Sequence, residues 1–131
     1  MQTIYLSGAS AELSLCEQWR DELILSGFIL TLDWMRKIRN IGIADTHLDA
    51  EEQRHIARMD LQGVQDSEIF WLILPETSHT FGAWVELGYA LGLQDRPSIV
   101  ISGRWRSIFD QLADHRFVTH EDAFTFIQTF R

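Results

Sequence analysis

Glu68 to Leu93 reads EIFWLILPETSHTFGAWVELGYALGL, and its two halves follow different periodicities. Glu68 to Pro75 is an almost unbroken apolar run, the most hydrophobic in the chain, which predicts a strand at the centre of a sheet. From Thr80 to Leu93 the apolar residues Leu87, Ala90 and Leu91 recur at helical spacing, which predicts a helix packed through one stripe. That helix carries three glycines, each about 1 kcal/mol less favourable than alanine in a helix interior. Its single charge is Glu86.

Outward from this unit the same alternation repeats. Thr3 to Gly8 predicts a buried strand, and Leu13, Cys16, Trp19, Leu23 and Ile24 mark an amphipathic helix from Ala11 to Leu25 that closes at Ser26-Gly27. Phe28 to Trp34 reads as a second strand. Met35 to Thr46 has no clear period and reads as a loop. Leu48 to Gln65 predicts a helix, with Asp49, Glu51 and Glu52 at its positive end. Beyond the glycine-rich helix, Pro97 to Ser102 predicts a fourth strand, Ile108 to Ala113 a short helix, Phe117 to Thr119 a brief fifth strand, and Glu121 to Phe130 a terminal helix. Strands alternating with helices predict a three-layer α/β domain, flavodoxin-like or Rossmann-like, with a five-stranded parallel sheet covered by helices on both faces. At 131 residues, a single domain over 1–131 is expected.

Composition narrows the partners. A net charge of −8, with 11 Lys and Arg against 19 Asp and Glu, disfavours a nucleic acid duplex as partner. No apolar run reaches the roughly 18 residues of a membrane span. The N-terminus lacks a secretory pattern and Cys16 is the only cysteine, so a cytoplasmic setting is expected. The five histidines, His47, His55, His79, His115 and His120, show no ligand pairing on a helix face, and no metal site is expected. G-x-G-x-x-G and Walker motifs are absent, which argues against a dinucleotide cofactor or a nucleoside triphosphate.

In an open parallel sheet, ligands bind beyond the carboxyl ends of the strands where strand order reverses. Those ends are Tyr5 to Ser10, Asp33-Trp34 and Pro75 to Phe81. Gly82, Ala83, Tyr89 and Ala90 lie three and four residues from Glu86. Three of the four are small, which predicts an open trough beside the carboxylate. The helix dipole favours its ionised form. Gly88 and Gly92 predict a close approach of helix to strand. A second reading of the same pattern makes Glu86 a solvent-facing carboxylate and the glycines packing residues only. Asp60, late in the preceding helix, is a surface residue on one reading. On the other it shares a cleft with Glu86, and the two carboxylates divide the labour of attack and proton exchange.

The stretches IYLSGA, MDLQGVQDSEIFWLILPE and FGAWVELGYALGLQDRPSIVI resemble the nucleoside 2-deoxyribosyltransferase family, which includes the deoxynucleoside 5′-monophosphate N-glycosidases. The similarity runs from Thr3 to Ile101, and its most specific part is D-L-x-G-[IV] followed by G-x-x-x-E-L-G-Y-A. The resemblance implies that Glu86 attacks C1′ of the sugar, Asp60 contacts the base, and Tyr5 orients the nucleophile. Thr80, six residues before Glu86, would touch the sugar or its 5′ group. Ser7, Gly8, Ser10, Asp33, Trp34 and Gly82 complete the expected substrate-binding set, with Ser7 and Ser10 able to hold a phosphate. Trp34 or Trp84 would stack on a base or serve as core. The resemblance also implies a homodimer or larger homo-oligomer and a small nucleoside or nucleotide substrate.

Two departures qualify it. The loop SGASAE lacks the arginine that monophosphate-cleaving members carry after their first strand, and Met35 to His47 has no counterpart, which leaves it as a lid or an interface. IYLSGAS, the acidic turn after the second strand and AWVELGYAL also resemble Toll/interleukin-1-receptor-like domains, some of which cleave NAD with a helix glutamate. Their tryptophan and glutamate stand further apart than Trp84 and Glu86, and D-L-x-G is not theirs. A third reading is a nucleotide-binding sensor module without turnover.

Overall fold

The structure, a computed structural model, describes residues 2–41 and 48–130. Five strands form one parallel sheet: β1 (Thr3–Ser7), β2 (Ile29–Leu30), β3 (Ile69–Ile73), β4 (Ser98–Ser102) and β5 (His115–Phe117). Their order is β2-β1-β3-β4-β5, so the chain reverses direction across the sheet between β1 and β3. All five residues of β3 are buried, as a central strand with both faces covered must be. The expected three-layer α/β architecture is present.

Period-two alternation decides which helix each strand residue meets. Tyr5 pairs with Phe70 in register and their rings stack at 6.0 Å. The next pair, Leu6 and Trp71, points to the opposite face. There Trp71 meets Trp19 of α1 (Leu13–Leu25) and Phe124 of α5 (His120–Ile127). On the Tyr5 face lie α3 (Ala50–Asp66) and α4 (Gly82–Gly92), which pack on one another. Ser7 shares the parity of Tyr5. Both side chains therefore aim at the α3–α4 layer.

Gly63 of α3 permits that layer to close. A Cβ at this position would lie 3.0 Å from two ring carbons of Tyr5 and 3.1 Å from the Leu32 Cβ. Gly63→Ala is expected to push the Tyr5 ring aside and destabilise the domain by about 1–3 kcal/mol, the range for overpacked cores. Chemical denaturation of the variant beside wild type measures it.

Several boundaries differ from expectation. The second strand, expected to reach Trp34, pairs only at Ile29 and Leu30, because it is an edge strand with one neighbour. Met35 to Thr46, expected as a loop, begins as helix α2 (Trp34–Ile41), and residues 42–47 lie outside the described residues. Asp33 caps α2 by accepting from the Arg36 N–H at 3.1 Å, while Trp34 and Met35 are buried. A 3-10 turn, Ser10–Glu12, precedes α1 where helix was expected from Ala11. Ile108–Leu112 is likewise a 3-10 turn. The fifth strand falls earlier than expected, and Thr119 caps α5 through the Asp122 N–H. The terminal helix ends at Ile127 and continues as a 3-10 turn, Gln128–Phe130. Asp49 and Glu52 form a reciprocal capping box at the start of α3. Among the described residues, no helix is long and apolar enough to cross a membrane.

Candidate active site

Both oxygens of the Glu86 carboxylate are held from beneath. The Tyr5 hydroxyl donates to Oε2 at 2.7 Å and the Ser7 hydroxyl donates to Oε1 at 2.7 Å. The two donors come from alternate residues of β1, and the acceptor comes from the fifth residue of α4. This bond pair spans about 80 residues of chain and ties the helix to the sheet at the point where strand order reverses.

Glu86 is 9 % exposed, and what remains open faces a cavity of about 320 Å³. That volume falls within the roughly 300–1,000 Å³ of small-ligand sites. Its wall includes Gly8, Ser10, Trp34, Asp60, Thr80 and Gly82, together with Glu86. Seven of the ten expected site residues thus surround one space. Tyr5 and Ser7 stand behind the carboxylate, fully buried, and act on it rather than on a ligand.

Asp33 is the exception. It caps α2 and faces the Arg20 guanidinium at 3.4 Å, and it is not part of the cavity wall. Trp34 lines the cavity while its indole N–H donates to the Leu6 carbonyl at 2.6 Å. Trp84 does not line the cavity; it lies half-buried on an adjoining groove with Trp105 and Phe109, and the groove shares His79, Thr80 and Phe81 with the cavity. The Thr80 hydroxyl accepts from the Ala83 N–H at 3.3 Å and so steadies the start of α4.

The small residues around Glu86 do not all serve as expected. A Cβ added at Gly82 would meet nothing within 4 Å, which agrees with an open trough. Gly88 and Gly92 are exposed, and added Cβ atoms there also meet nothing. They do not bring helix and strand together; Ala83, Leu87 and Ala90 bury that face instead. Gly8 is the site glycine that packing requires. A Cβ there would fall 2.5 Å from the Cys16 sulfur.

Burial disfavours the ionised form that the sequence led us to expect at Glu86. Desolvation raises its pKa, the Ser7 and Tyr5 hydrogen bonds lower it, and the Asp60 charge raises it again, leaving the carboxyl pushed up to about 7. Tyr5 is driven well above the ordinary phenol range by burial and by the nearby Glu86 and Asp60 charges. It is a hydrogen-bond donor at working pH, not a base. Burial pushes the Cys16 thiol up to about 12, which makes it a poor nucleophile.

Lys37, Ile38, Ile56, His79 and Phe81 also line the cavity. Ile56 was legible, because it stands four residues before Asp60 on α3. Lys37 and Ile38 belong to the segment without a clear period, which gives no signal that they lie on a helix. Among the described residues, no group of three His, Cys, Asp or Glu side chains is placed to hold a metal ion.

Fold and site together define a parallel α/β domain with a buried, doubly hydrogen-bonded carboxylate at the switch point of its sheet. No protein-family model matches the chain, and no curated protein matches its sequence.

Proposed function

We propose that the protein cleaves or transfers the N-glycosidic bond of a (deoxy)nucleoside or its 5′-monophosphate, with Glu86 as nucleophile. The observation that carries this reading is the Glu86 carboxylate itself, fixed through both oxygens and opening on a cavity with Asp60 in its wall. Fission of the glycosidic bond develops positive charge at C1′ and the ring oxygen, which an adjacent carboxylate stabilises and then traps. A Glu86 oxygen bonds to C1′, and the base leaves with the electrons of the C1′–N bond and takes up a proton.

Asp60 faces the departing base. Water then attacks C1′ in hydrolysis, or a ring nitrogen of a second base does so in transfer. The nucleophile gives up a proton, which balances the one taken by the departing base, and the C1′–O bond to Glu86 breaks with net retention. Tyr5 and Ser7 hold the carboxylate in line and stabilise it as a leaving group in the second step. No cofactor takes part. Assembly as a homodimer or larger, and a cytoplasmic setting, belong to the same proposal.

Incubation with a panel of deoxynucleosides, their 5′-monophosphates and NAD, followed by chromatography for free base, tests it. Release from deoxynucleosides or their monophosphates supports the reading, and a second added base separates transferase from hydrolase. Nicotinamide release alone would favour the Toll/interleukin-1-receptor-like alternative. Binding without release of any base would favour a sensor.

A further inference from the structure

The loop that leads from β3 to α4 is clasped from one side by Glu12. Its carboxylate accepts from the backbone N–H groups of Glu76 at 2.8 Å, Thr77 at 3.3 Å and Ser78 at 2.9 Å, and from the Ser78 hydroxyl. Three successive N–H groups converging on one point form a nest, a backbone concavity that binds anions. Here the anion is the protein's own side chain. Arg106 holds the other side of the loop, donating to the carbonyls of Glu76 at 3.4 Å and Ser78 at 2.9 Å.

This filled nest is next to the cavity wall along the chain, and Glu12, Glu76, Thr77 and Ser78 do not themselves line the cavity. Glu12 ends the 3-10 turn that begins at Ser10, and Ser78 immediately precedes His79 and Thr80; Ser10, His79 and Thr80 are all cavity wall. With Thr80 at the sugar or its 5′ group, as the resemblance implies, that wall is the 5′ side of the site. Lys37 is the only Lys or Arg among the described residues of the wall, against the two carboxylates Asp60 and Glu86. Partial burial disfavours the Glu12 charge, but the Ser78 hydroxyl and the three backbone N–H groups more than offset this and hold the carboxyl at about 2.

We infer that Glu12 is a specificity-determining residue: its carboxylate fills the anion nest beside the 5′ end of the site, so the protein selects the uncharged nucleoside over its 5′-monophosphate. This rests on the proposed N-glycosidic activity. A phosphate at the Ser10–Thr80 wall would stand near a fixed negative charge that already occupies the N–H donors of the adjoining loop, and that repulsion weakens binding more than it slows attack at C1′.

The test compares kcat and KM for a deoxynucleoside and its 5′-monophosphate in wild type, Glu12→Gln and Glu12→Ala. Wild type is expected to favour the nucleoside by about tenfold or more, chiefly in KM and less so at high salt. Both variants are expected to narrow that ratio by about tenfold. A wild-type preference for the monophosphate overturns the inference even if neither variant folds, and so do folded variants that keep the wild-type ratio. A thermal-shift measurement with inorganic phosphate reads the nest without turnover. Phosphate should raise the Tm of the Glu12 variants and leave that of wild type unchanged, and equal shifts in all three overturn the inference. If no substrate releases base, the proposed activity fails, while the phosphate measurement still decides the role of Glu12.

Discussion

Glu86→Gln is expected to abolish base release while the protein still folds. Glutamine keeps the shape of the side chain and can satisfy the same two partners. Its carbonyl accepts from one hydroxyl, and its amide N–H donates to the oxygen of the other once that hydroxyl rotates. What it lacks is a carboxylate oxygen able to bond to C1′. Loss of a nucleophile of this kind is expected to lower kcat by at least about a thousandfold. Chromatographic rates for the two proteins, beside their circular dichroism, give the comparison. A folded glutamine variant that releases base at the wild-type rate removes Glu86 from the chemistry.

The second large effect is on pH dependence, and activity and stability should move in opposite directions. Attack requires the ionised carboxylate, so the rate of glycosyl-enzyme formation should rise with pH through a midpoint near 7 and then level off. Stability runs the other way. The Glu86 carboxyl has an ordinary value of 4.5 when the chain is unfolded and about 7 when folded, so the folded state binds its proton more tightly. The stability contributed by that proton is fully present below pH 4.5 and is lost as pH rises through 7, a change on the order of 3 kcal/mol. Glu86→Gln has no such proton to lose. Its unfolding free energy should therefore fall less than that of wild type between pH 5 and pH 8, which denaturant titrations at the two pH values measure. Equal pH dependence in both proteins would mean that Glu86 titrates as an ordinary exposed carboxyl. Tyr5→Phe removes a donor that favours the charged form, so the activity midpoint should move to still higher pH.

Much of this arrangement was legible in the chain before it was folded. The apolar run at Ile69–Ile73 and the repeated strand–helix alternation were enough for a parallel sheet, because a strand buried on both faces has no room for polar side chains. Glu86 stood out as the lone charge in an apolar helix, and Gly82 and Ala83 beside it pointed to open space. Helix α2 was missed because its buried residues, Trp34 and Met35, are adjacent and are followed by Arg36 and Lys37, which obscures the period. Asp33 looked like a strand-end ligand and is a helix cap. That distinction depends on where the backbone turns, and a carboxylate suits both roles.

Local periodicity and the cost of burying charge were enough for the layered α/β class, the central strand and the candidacy of Glu86. The state of that carboxylate is set only once the chain has folded. Tyr5 and Ser7 reach it across some 80 residues of chain, and burial moves its titration up toward neutrality against the pull of their two hydrogen bonds. The balance is set by how much water the folded chain removes from around one side chain, and that is a property of packing in three dimensions.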